Sequence, residues 1–455
     1  MPTESNGTRW IFIFYLGLLF WLPIPLGSNR PWSWAVLELW VLLLAGAWLV
    51  GFLRGKYSYG QVATRAWPVL LCMGAWAAYV WLQLLPLPIE LLTVLSPQSA
   101  HWHGIAGAQG AIAFAPIALD RYAGFDSACK TFAYAAFFML SLVLLQDRLR
   151  IRLATYALIA SGVGQAAYGG FTSLSNPGAG VSGTFVNPNH YASYLVMALS
   201  VGIGVLLASL SGARNESWSQ FFRNALQWAI TPKMGLRLLL VVMVIGLVLS
   251  RSRMGNLSFF ISLFVTGVIG LILSKKASRS MVVLIASLIV VDIFIVGAYF
   301  GTQRVIDRLS ETSLETDDRD EVAGYALKMW QDFPVFGAGL GSFPVVFPRY
   351  SAEGTSVAYT HAHNDFLEFA AEAGAVGLLL LGAIVAMSFA AALRAQQLRE
   401  DPVMRGISFA SLMGTIALMI HSTVDFNLQI PANALTFLLL LAFGWISLYG
   451  LEKRA

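Results

Sequence analysis

Residues 235–274 read GLRLLLVVMVIGLVLSRSRMGNLSFFISLFVTGVIGLILS, two long apolar runs that meet at a short turn carrying Arg251 and Arg253. Each run approaches the roughly 20 residues that an α-helix needs to cross the hydrocarbon core of a bilayer. The whole chain has this character: 57% of its 455 residues are hydrophobic and 12% are charged, about half the charged share of soluble proteins. The sequence therefore predicts an all-α polytopic membrane protein and excludes a soluble multi-domain enzyme.

About twelve stretches are long and apolar enough to span a membrane. They lie near residues 10–27, 33–53, 67–86, 128–146, 153–172, 189–210, 235–250, 255–274, 281–300, 366–393, 406–422 and 431–450. We expect transmembrane helices 1–9 within residues 1–300, one large external loop at 301–365, and helices 10–12 within residues 366–455. Inside that loop, the pattern predicts a short amphipathic helix at 322–330, followed by turns and extended chain at 333–346.

The positively charged residues predict the orientation of the chain. Most of its 29 Lys and Arg fall on one side if the N-terminus is cytoplasmic, as the positive-inside rule requires. Both termini are then cytoplasmic, and residues 87–127 and 301–365 face outward. The net charge of +5 is scattered between apolar runs rather than gathered on one soluble face, so we expect the lipid bilayer and not nucleic acid as a partner.

The histidines gather on or near the outer side in this topology. They are His101, His103, His190, His361, His363 and His421. Either external loops simply hold more of the polar residues, or these side chains supply a base or a ligand set at the outer surface.

Arg251 and Arg253 place two positive charges in the short external turn at 251–253. These charges raise the free energy of inserting the segment into the membrane. Either they reach lipid headgroups, or they bind an anionic ligand, for which the planar guanidinium suits phosphate.

Other polar residues leave alternatives open. Glu38 and Asp292 lie inside apolar spans, where a carboxylate is either functional or hydrogen-bonded to a neighbouring helix. Arg349 and Tyr350 either bind the substrates or pack the loop. The H-x-H pair at 361–363 lacks the further partners of a metal site, and the chain has no phosphate-binding P-loop. We therefore expect neither a metal nor another cofactor.

Four segments carry a family signature in order along the chain. HNDFLEFAAEAGAVG (363–377) has His-Asn, nine residues, then G-x-x-G. It resembles the long-loop signature of bacterial O-antigen ligases and O-antigen polymerases. GTFVNPNHYASYL (183–195), LSRSRMG (249–255) and RDEVAGYALKMWQDFPVFGAGLGSF (319–343) are similar to other segments of that superfamily. HSTVDFNLQIPANAL (421–435) resembles its polymerase-like branch.

The resemblance implies a metal-independent membrane glycosyltransferase of the GT-C type in the bacterial inner membrane. Such enzymes take a glycan from undecaprenyl diphosphate at the periplasmic face, in lipopolysaccharide or surface-polysaccharide assembly. On the matching positions, the general base is His363 and the diphosphate ligands are Arg253 and Arg319. The sequence S-R-S-R-M-G also allows Arg251 in place of Arg253. Further polar positions in or beside the motifs are candidate substrate contacts: Asn189, His190, His361, Asn364, Arg349 and Tyr350.

The chemistry of glycosyl transfer agrees with these residue types. A sugar hydroxyl is a weak nucleophile at neutral pH, and an imidazole can accept its proton as it attacks. Attack opposite the diphosphate would invert the anomeric carbon. Arginines at a partly dry membrane surface can stabilise the charge that the leaving diphosphate gains.

Several acceptors and one other class of protein remain open. A ligase passes the glycan to lipid A–core, and a polymerase passes it to another lipid-linked repeat unit. A third branch uses Ser or Thr of a protein. A lipid-linked sugar flippase would instead need polar residues along a path open to both faces, whereas this chain concentrates His and Arg on one face. Glycosyl transfer is therefore the favoured interpretation.

We predict that His363→Ala abolishes glycan transfer, because no other group would take the proton of the attacking hydroxyl. The variant is expected to remain folded and inserted in the membrane. Full activity in a transfer assay with this variant would show that the base is a different residue.

Overall fold

The computed structural model describes residues 7–107, 112–175, 180–210, 232–273, 321–351 and 359–451. Its helices are α1 Arg9–Trp21, α2 Pro31–Leu53, α3 Gln61–Arg65, α4 Trp67–Leu82, α5 Ile89–Leu95, α6 Pro97–Ala106, α7 Arg121–Leu144, α8 Arg148–Ser175, α9 Pro188–Leu210, α10 Pro232–Leu249, α11 Arg253–Leu273, α12 (321–332), α13 Phe343–Val346, α14 Asp365–Leu398, α15 Pro402–His421 and α16 Pro431–Tyr449. Short 3-10 turns cover Leu26–Ser28, Phe347–Arg349 and Asn427–Gln429. Two short strands, β1 Leu87–Pro88 and β2 Phe114–Ala115, pair antiparallel.

The all-α membrane architecture is confirmed. Each predicted span coincides with a helix, apart from 281–300, which lies outside the described residues. By length and composition, 7 of the described helices can cross a membrane. Three more, α1, α4 and most of α10, are apolar but shorter, and α8 is long but is not among the candidate spans. A total of about twelve spans stays a prediction.

The segment 321–346, which precedes α14, largely has the predicted local structure. The predicted amphipathic helix is present as α12, and the glycine-rich stretch after it consists of turns. The end of that stretch differs from the expectation, since Phe343–Val346 form the short helix α13 rather than extended chain. Pro344 stands in the first turn of α13, where its missing amide hydrogen costs no helical bond.

Helices α9, α15 and α16 form the centre of the bundle. In α16, 94% of the apolar stretch is buried, compared with 28% in α2. Helices α9 and α15 cross at two glycines: a Cβ on Gly204 would lie 2.3 Å from the carbonyl oxygen of Gly406. Small residues allow this backbone approach in membrane helices, where packing rather than the hydrophobic effect drives association. At their other ends, the Ser193 hydroxyl of α9 lies 2.6 Å from Nδ1 of His421 in α15.

Helix α14 is broken at Gly374, whose φ of 63° and ψ of −168° are non-helical. The glycine-rich loop lies against the break and replaces the lost helical hydrogen bonds. The amides of Ala338 and Gly339 donate to the carbonyls of Ala371 and Glu372, both at 2.9 Å. From α4, the Tyr79 hydroxyl donates to the Ala373 carbonyl at 2.8 Å. Irregular backbone is tolerated in a membrane protein only when its polar groups are satisfied in this way.

We predict that Gly374→Ala destabilises the protein by at least about 1–3 kcal/mol, because this backbone conformation is essentially restricted to glycine. A Cβ there would also lie 2.3 Å from the Val335 carbonyl oxygen. The melting temperature in detergent, followed by size-exclusion chromatography, would measure the loss. Gly382→Ala is the matched control in the same helix, since a Cβ at Gly382 meets nothing within 4 Å. Equal melting temperatures for the two variants would contradict the assigned role of the break.

Candidate functional site

The candidate site is built where two chain segments meet at one end of the central helices. One is the approach to α14, residues 359–364, and the other is the connection between α15 and α16, residues 422–430. Asn364 caps α14 by accepting a hydrogen bond from the Leu367 amide at 3.1 Å. Its side-chain nitrogen donates to the carbonyl of Thr423 at 2.8 Å. The residue predicted as a substrate contact therefore joins the two segments.

Asp365 holds the same two segments together from below. Its buried carboxylate accepts hydrogen bonds from the Ser422 hydroxyl at 2.6 Å and from the Leu428 amide at 3.0 Å. Its own amide donates to the Ser422 carbonyl at 3.0 Å. Hydrogen bonds contribute about 0.5–1.5 kcal/mol each, and together these three hold the connection after α15 in position against α14.

His363 lies between these anchored residues in a left-handed backbone conformation, with φ at 49°. Such a conformation is uncommon for a residue other than glycine, and it is retained only where the surroundings impose it. The conformation directs the ring towards the connection between α15 and α16. Its Nδ1 lies 3.8 Å from Oδ1 of Asp425.

Asp425 also faces a second imidazole, because Nε2 of His190, at the start of α9, lies 3.4 Å from the same oxygen. Both separations exceed an ordinary hydrogen bond, and such pairs often tighten only when substrate is bound. Burial raises the pKa of Asp425, but the imidazoles of His190, His363 and His421 together lower it by more and hold it well below its usual range. The site thus contains a buried carboxylate, ionised at neutral pH, between two histidines.

Phe426 is the common neighbour of three histidines. His361 stacks on its ring with centroids 4.2 Å apart and planes at 18°. The rings of His190 and His363 meet it edge-on, at 4.6 Å and 5.0 Å. An aromatic ring held in this way restricts how far the imidazoles can turn and excludes water from between them.

His361 belongs to a separate carboxylate pair. Its Nδ1 lies 2.8 Å from Oε1 of Glu368, and the other oxygen of Glu368 accepts the Ala362 amide at 2.8 Å. Burial lowers the pKa of His361, but the Glu368 carboxylate raises it by more, so the pKa lies above its ordinary value. The site therefore presents one imidazole that favours the cationic form beside another, His363, that faces Asp425.

His421, at the end of α15, lies behind these rings rather than among them. Its Nδ1 is 2.6 Å from the Ser193 hydroxyl of α9, and both side chains are buried. This pair joins α9 to α15 at the same level as the histidine site. We assign it to packing of the helix ends.

The arginine turn lies beside the start of α9. Arg251 has a φ of 58° between α10 and α11, and Arg253 is exposed at the first position of α11. Gly255 packs so closely on α9 that a Cβ there would lie 2.6 Å from the Cβ of Ala192, two residues after His190. The fold thus packs the start of α11, next to the turn, against the start of α9, which carries His190. Arg319 lies outside the described residues.

Three other predicted contacts have local structural partners. The guanidinium of Arg349 lies over the Trp102 ring, 3.4 Å from its centroid. The Tyr350 hydroxyl donates to Asp332 at 2.7 Å, and burial raises the pKa of Tyr350. The backbone amide of Asn189 donates to the side-chain oxygen of Asn187 at 2.8 Å, and this hydrogen bond forms a turn at the start of α9. These contacts favour the loop-packing interpretation of Arg349 and Tyr350.

Sequence reasoning did not include Asp425, Phe426 or Glu368 among the site residues. A signal was present for Asp425, since it is an acidic residue in a short connection between two apolar segments, four positions after His421. Its partners are far apart in the sequence, so its role follows only from the fold. Across the described ranges, no group of three or more His, Cys, Asp and Glu has the arrangement of a metal site.

The fold and site define a polytopic membrane protein with a cluster of histidines and carboxylates at one end of its central helices. Residues 238–382 match the family model described as O-antigen ligase. The match covers about a third of the chain and confirms the resemblance to the O-antigen ligase superfamily. No curated protein sequence matches the chain. The matched range includes the arginine turn, His363 and the broken helix α14 as far as Gly382.

We predict that Glu368→Gln lowers the pKa of His361, because it removes the charge that outweighs burial. Histidine titration by NMR in detergent would measure the shift, with the His361 signal assigned from a His361→Asn variant. Glu90→Gln, at an exposed acid in the first turn of α5, should leave the titration unchanged. An unaltered His361 midpoint in Glu368→Gln would contradict the assigned pair.

Proposed function

We propose that this protein transfers a glycan from undecaprenyl diphosphate to an acceptor sugar hydroxyl at the periplasmic face of the bacterial inner membrane. Its class as a ligase-like membrane enzyme rests on the family match. The proposed donor, orientation and residue roles go further. The observation that carries the residue roles is the approach of His363 and His190 to one buried carboxylate, Asp425. The donor follows from the family resemblance, and the orientation follows from the distribution of Lys and Arg.

In the proposed reaction His363 is the general base. With Nδ1 towards Asp425, its Nε2 is the nitrogen available to the acceptor hydroxyl. As the oxygen attacks the anomeric carbon from the side opposite the diphosphate, His363 takes its proton and becomes an imidazolium. Asp425 orients the ring and stabilises that positive charge. Positioned general bases typically accelerate a reaction by about 10²–10⁴-fold.

The leaving diphosphate gains negative charge as the bond to the sugar breaks. Arg253 and Arg319 are the proposed ligands for it, with Arg251 as the alternative to Arg253. Planar guanidinium groups bind phosphate oxygens through paired, charge-assisted hydrogen bonds. His361, which its Glu368 partner biases towards the cation, adds positive charge on the other side of Phe426. These groups would act without a metal ion in the proposed reaction.

The acceptor distinguishes the two candidate activities of this site. We favour a ligase, which transfers the finished chain to the lipid A–core glycolipid, because the matching family model is described as O-antigen ligase. A polymerase would use the same donor and the same base but extend another lipid-linked repeat unit. The cytoplasmic placement of both termini and the periplasmic placement of the site belong to this proposal as well.

The test is a transfer assay with purified protein, undecaprenyl-diphosphate glycan and EDTA, with and without lipid A–core, followed by gel separation of the products. A product that requires core would support a ligase, and a ladder of longer lipid-linked chains without core would indicate a polymerase. Absence of any product with native donor would overturn both activities and leave a protein acceptor or a transporter.

In this assay we predict that Asp425→Asn lowers the transfer rate by on the order of 10²–10⁴-fold, because His363 loses its charged partner. The control is Asp147→Asn, which removes an exposed carboxylate paired with Arg150 before α8. Exposed ion pairs contribute little, so this variant should keep its activity. Equal rates for the two variants would argue against a role for Asp425 in the reaction.

A further inference from the structure

His190 is a buried imidazole that has no step of its own in the proposed reaction. Its side chain is 6% exposed, compared with 23% for His363. An acceptor sugar can therefore reach His363 but not His190, so His190 is unsuited to act as the base. Its Nε2 nevertheless lies 3.4 Å from Oδ1 of Asp425, the same oxygen that His363 faces. A small rotation of the His190 ring would bring this pair to hydrogen-bond distance.

Two neighbouring elements fix the position of His190. Its backbone carbonyl accepts a hydrogen bond from the side-chain nitrogen of Asn433 at 3.1 Å, and Asn433 lies fully buried in the first turn of α16. The ring of Phe426, in the connection between α15 and α16, meets the His190 ring edge-on at 4.6 Å. The fold itself therefore holds this imidazole against Asp425.

Asp425 needs a hydrogen-bond donor at this position because it is almost completely buried. Its exposed fraction is 1%, and its Oδ2 has no hydrogen-bond partner among the described residues. Its Oδ1 accepts the backbone amide of Phe426 at 2.9 Å. Burial favours the neutral form of a carboxyl group and raises the pKa of Asp425, and the contact with His190 is the largest of the effects that lower this pKa. The charge that the proposed reaction requires on Asp425 therefore depends most on His190.

Other titratable groups surround the carboxylate, and most of them have partners elsewhere. The groups around Asp425 are His190 of α9, His361 and His363 before α14, Asp365 and Glu368 in α14, and His421 of α15. Glu368 is paired with His361, and His421 contacts Ser193. Asp365 is bound by the connection after α15. In the proposed reaction His363 serves the acceptor, which leaves His190 as the imidazole dedicated to the carboxylate.

We propose that His190 is a positioning residue that keeps Asp425 charged and directed towards His363, an inference that rests on the proposed function. His190 donates its Nε2 hydrogen to the carboxylate and keeps that hydrogen throughout the reaction. The proton of the acceptor hydroxyl passes to Nε2 of His363 alone, and Asp425 stabilises the imidazolium that forms. Because His190 touches neither substrate, it acts on the rate of transfer and not on substrate binding.

The test compares two substitutions of His190 in the transfer assay. His190→Leu removes the N–H group, and we expect kcat at neutral pH to fall about tenfold or more, which corresponds to about 1.4 kcal/mol. KM for both substrates should stay unchanged. The acid limb of the pH–rate profile should move to higher pH, because the pKa of Asp425 rises when the hydrogen bond is lost. His190→Gln retains a side-chain N–H group and should keep most of the rate. His101→Asn, at an exposed imidazole of α6, is the control.

A second measurement reads the carboxylate without transfer. Carbon NMR of protein with labelled aspartate in detergent, with the Asp425 signal assigned from Asp425→Asn, should give a higher titration midpoint in His190→Leu than in the parent protein. His190→Met is a second variant without the N–H group if the leucine variant does not fold. An unchanged midpoint, a raised KM with unchanged kcat, or equal loss of rate in His190→Leu and His190→Gln would overturn the proposed role. A raised midpoint in a protein that transfers no glycan would refute the proposed function and still support the pairing of His190 with Asp425.

Discussion

The buried carboxylate of Asp365 is the contact on which the rest of the candidate site depends. Asp365 lies at the start of α14, and its carboxylate accepts hydrogen bonds from Ser422 and Leu428. These bonds hold the connection between α15 and α16 in place. Asp425 and Phe426 lie within that connection, between the two bonded positions. Without this anchor, neither the carboxylate that faces His363 nor the ring that contacts three imidazoles would have a defined position. Asp365 also lines the apolar cavity among α7, α14, α15 and α16, so it joins the site to this membrane-embedded space.

The break in α14 at Gly374 is the second feature on which the fold depends. It allows the glycine-rich loop to bind the membrane helices through backbone hydrogen bonds. A continuous helix would present no free carbonyl groups to the glycine-rich loop. Because the chain turns at Gly374, the carbonyls of residues 371–373 become available, and the loop and α4 supply their donors. The loop is therefore fastened to the bundle by backbone hydrogen bonds, which depend little on side-chain identity. Its glycines are required where the two backbones approach most closely, as at Gly337, where a Cβ would lie 2.1 Å from the Glu372 carbonyl oxygen.

In the proposed reaction, His361 and His363 have different roles because the carboxylates of Glu368 and Asp425 lie at different distances from them. His361 lies at hydrogen-bond distance from the carboxylate of Glu368 in the first turns of α14, and the pKa of His361 is raised. His363 shares a more distant carboxylate with His190. An imidazole that favours the cation suits binding of an anion, whereas one that faces a shared carboxylate suits accepting a proton. Two histidines only two residues apart can thus serve different steps of one reaction, with Phe426 between them.

The sequence by itself determined the class of the protein, the position of its helices and several members of the site. Long apolar runs have one stable solution in a bilayer, because every backbone polar group must be satisfied within the helix. The positions of His363, His361 and Asn364 followed from a local motif. Only the tertiary structure decided that Asp425, Phe426 and His190 join them, because the start of α9, the approach to α14 and the connection after α15 are distant along the chain and meet only in the folded protein. The apolar cavity among α7, α14, α15 and α16 was equally beyond the sequence, since its walls come from helices that are distant along the chain.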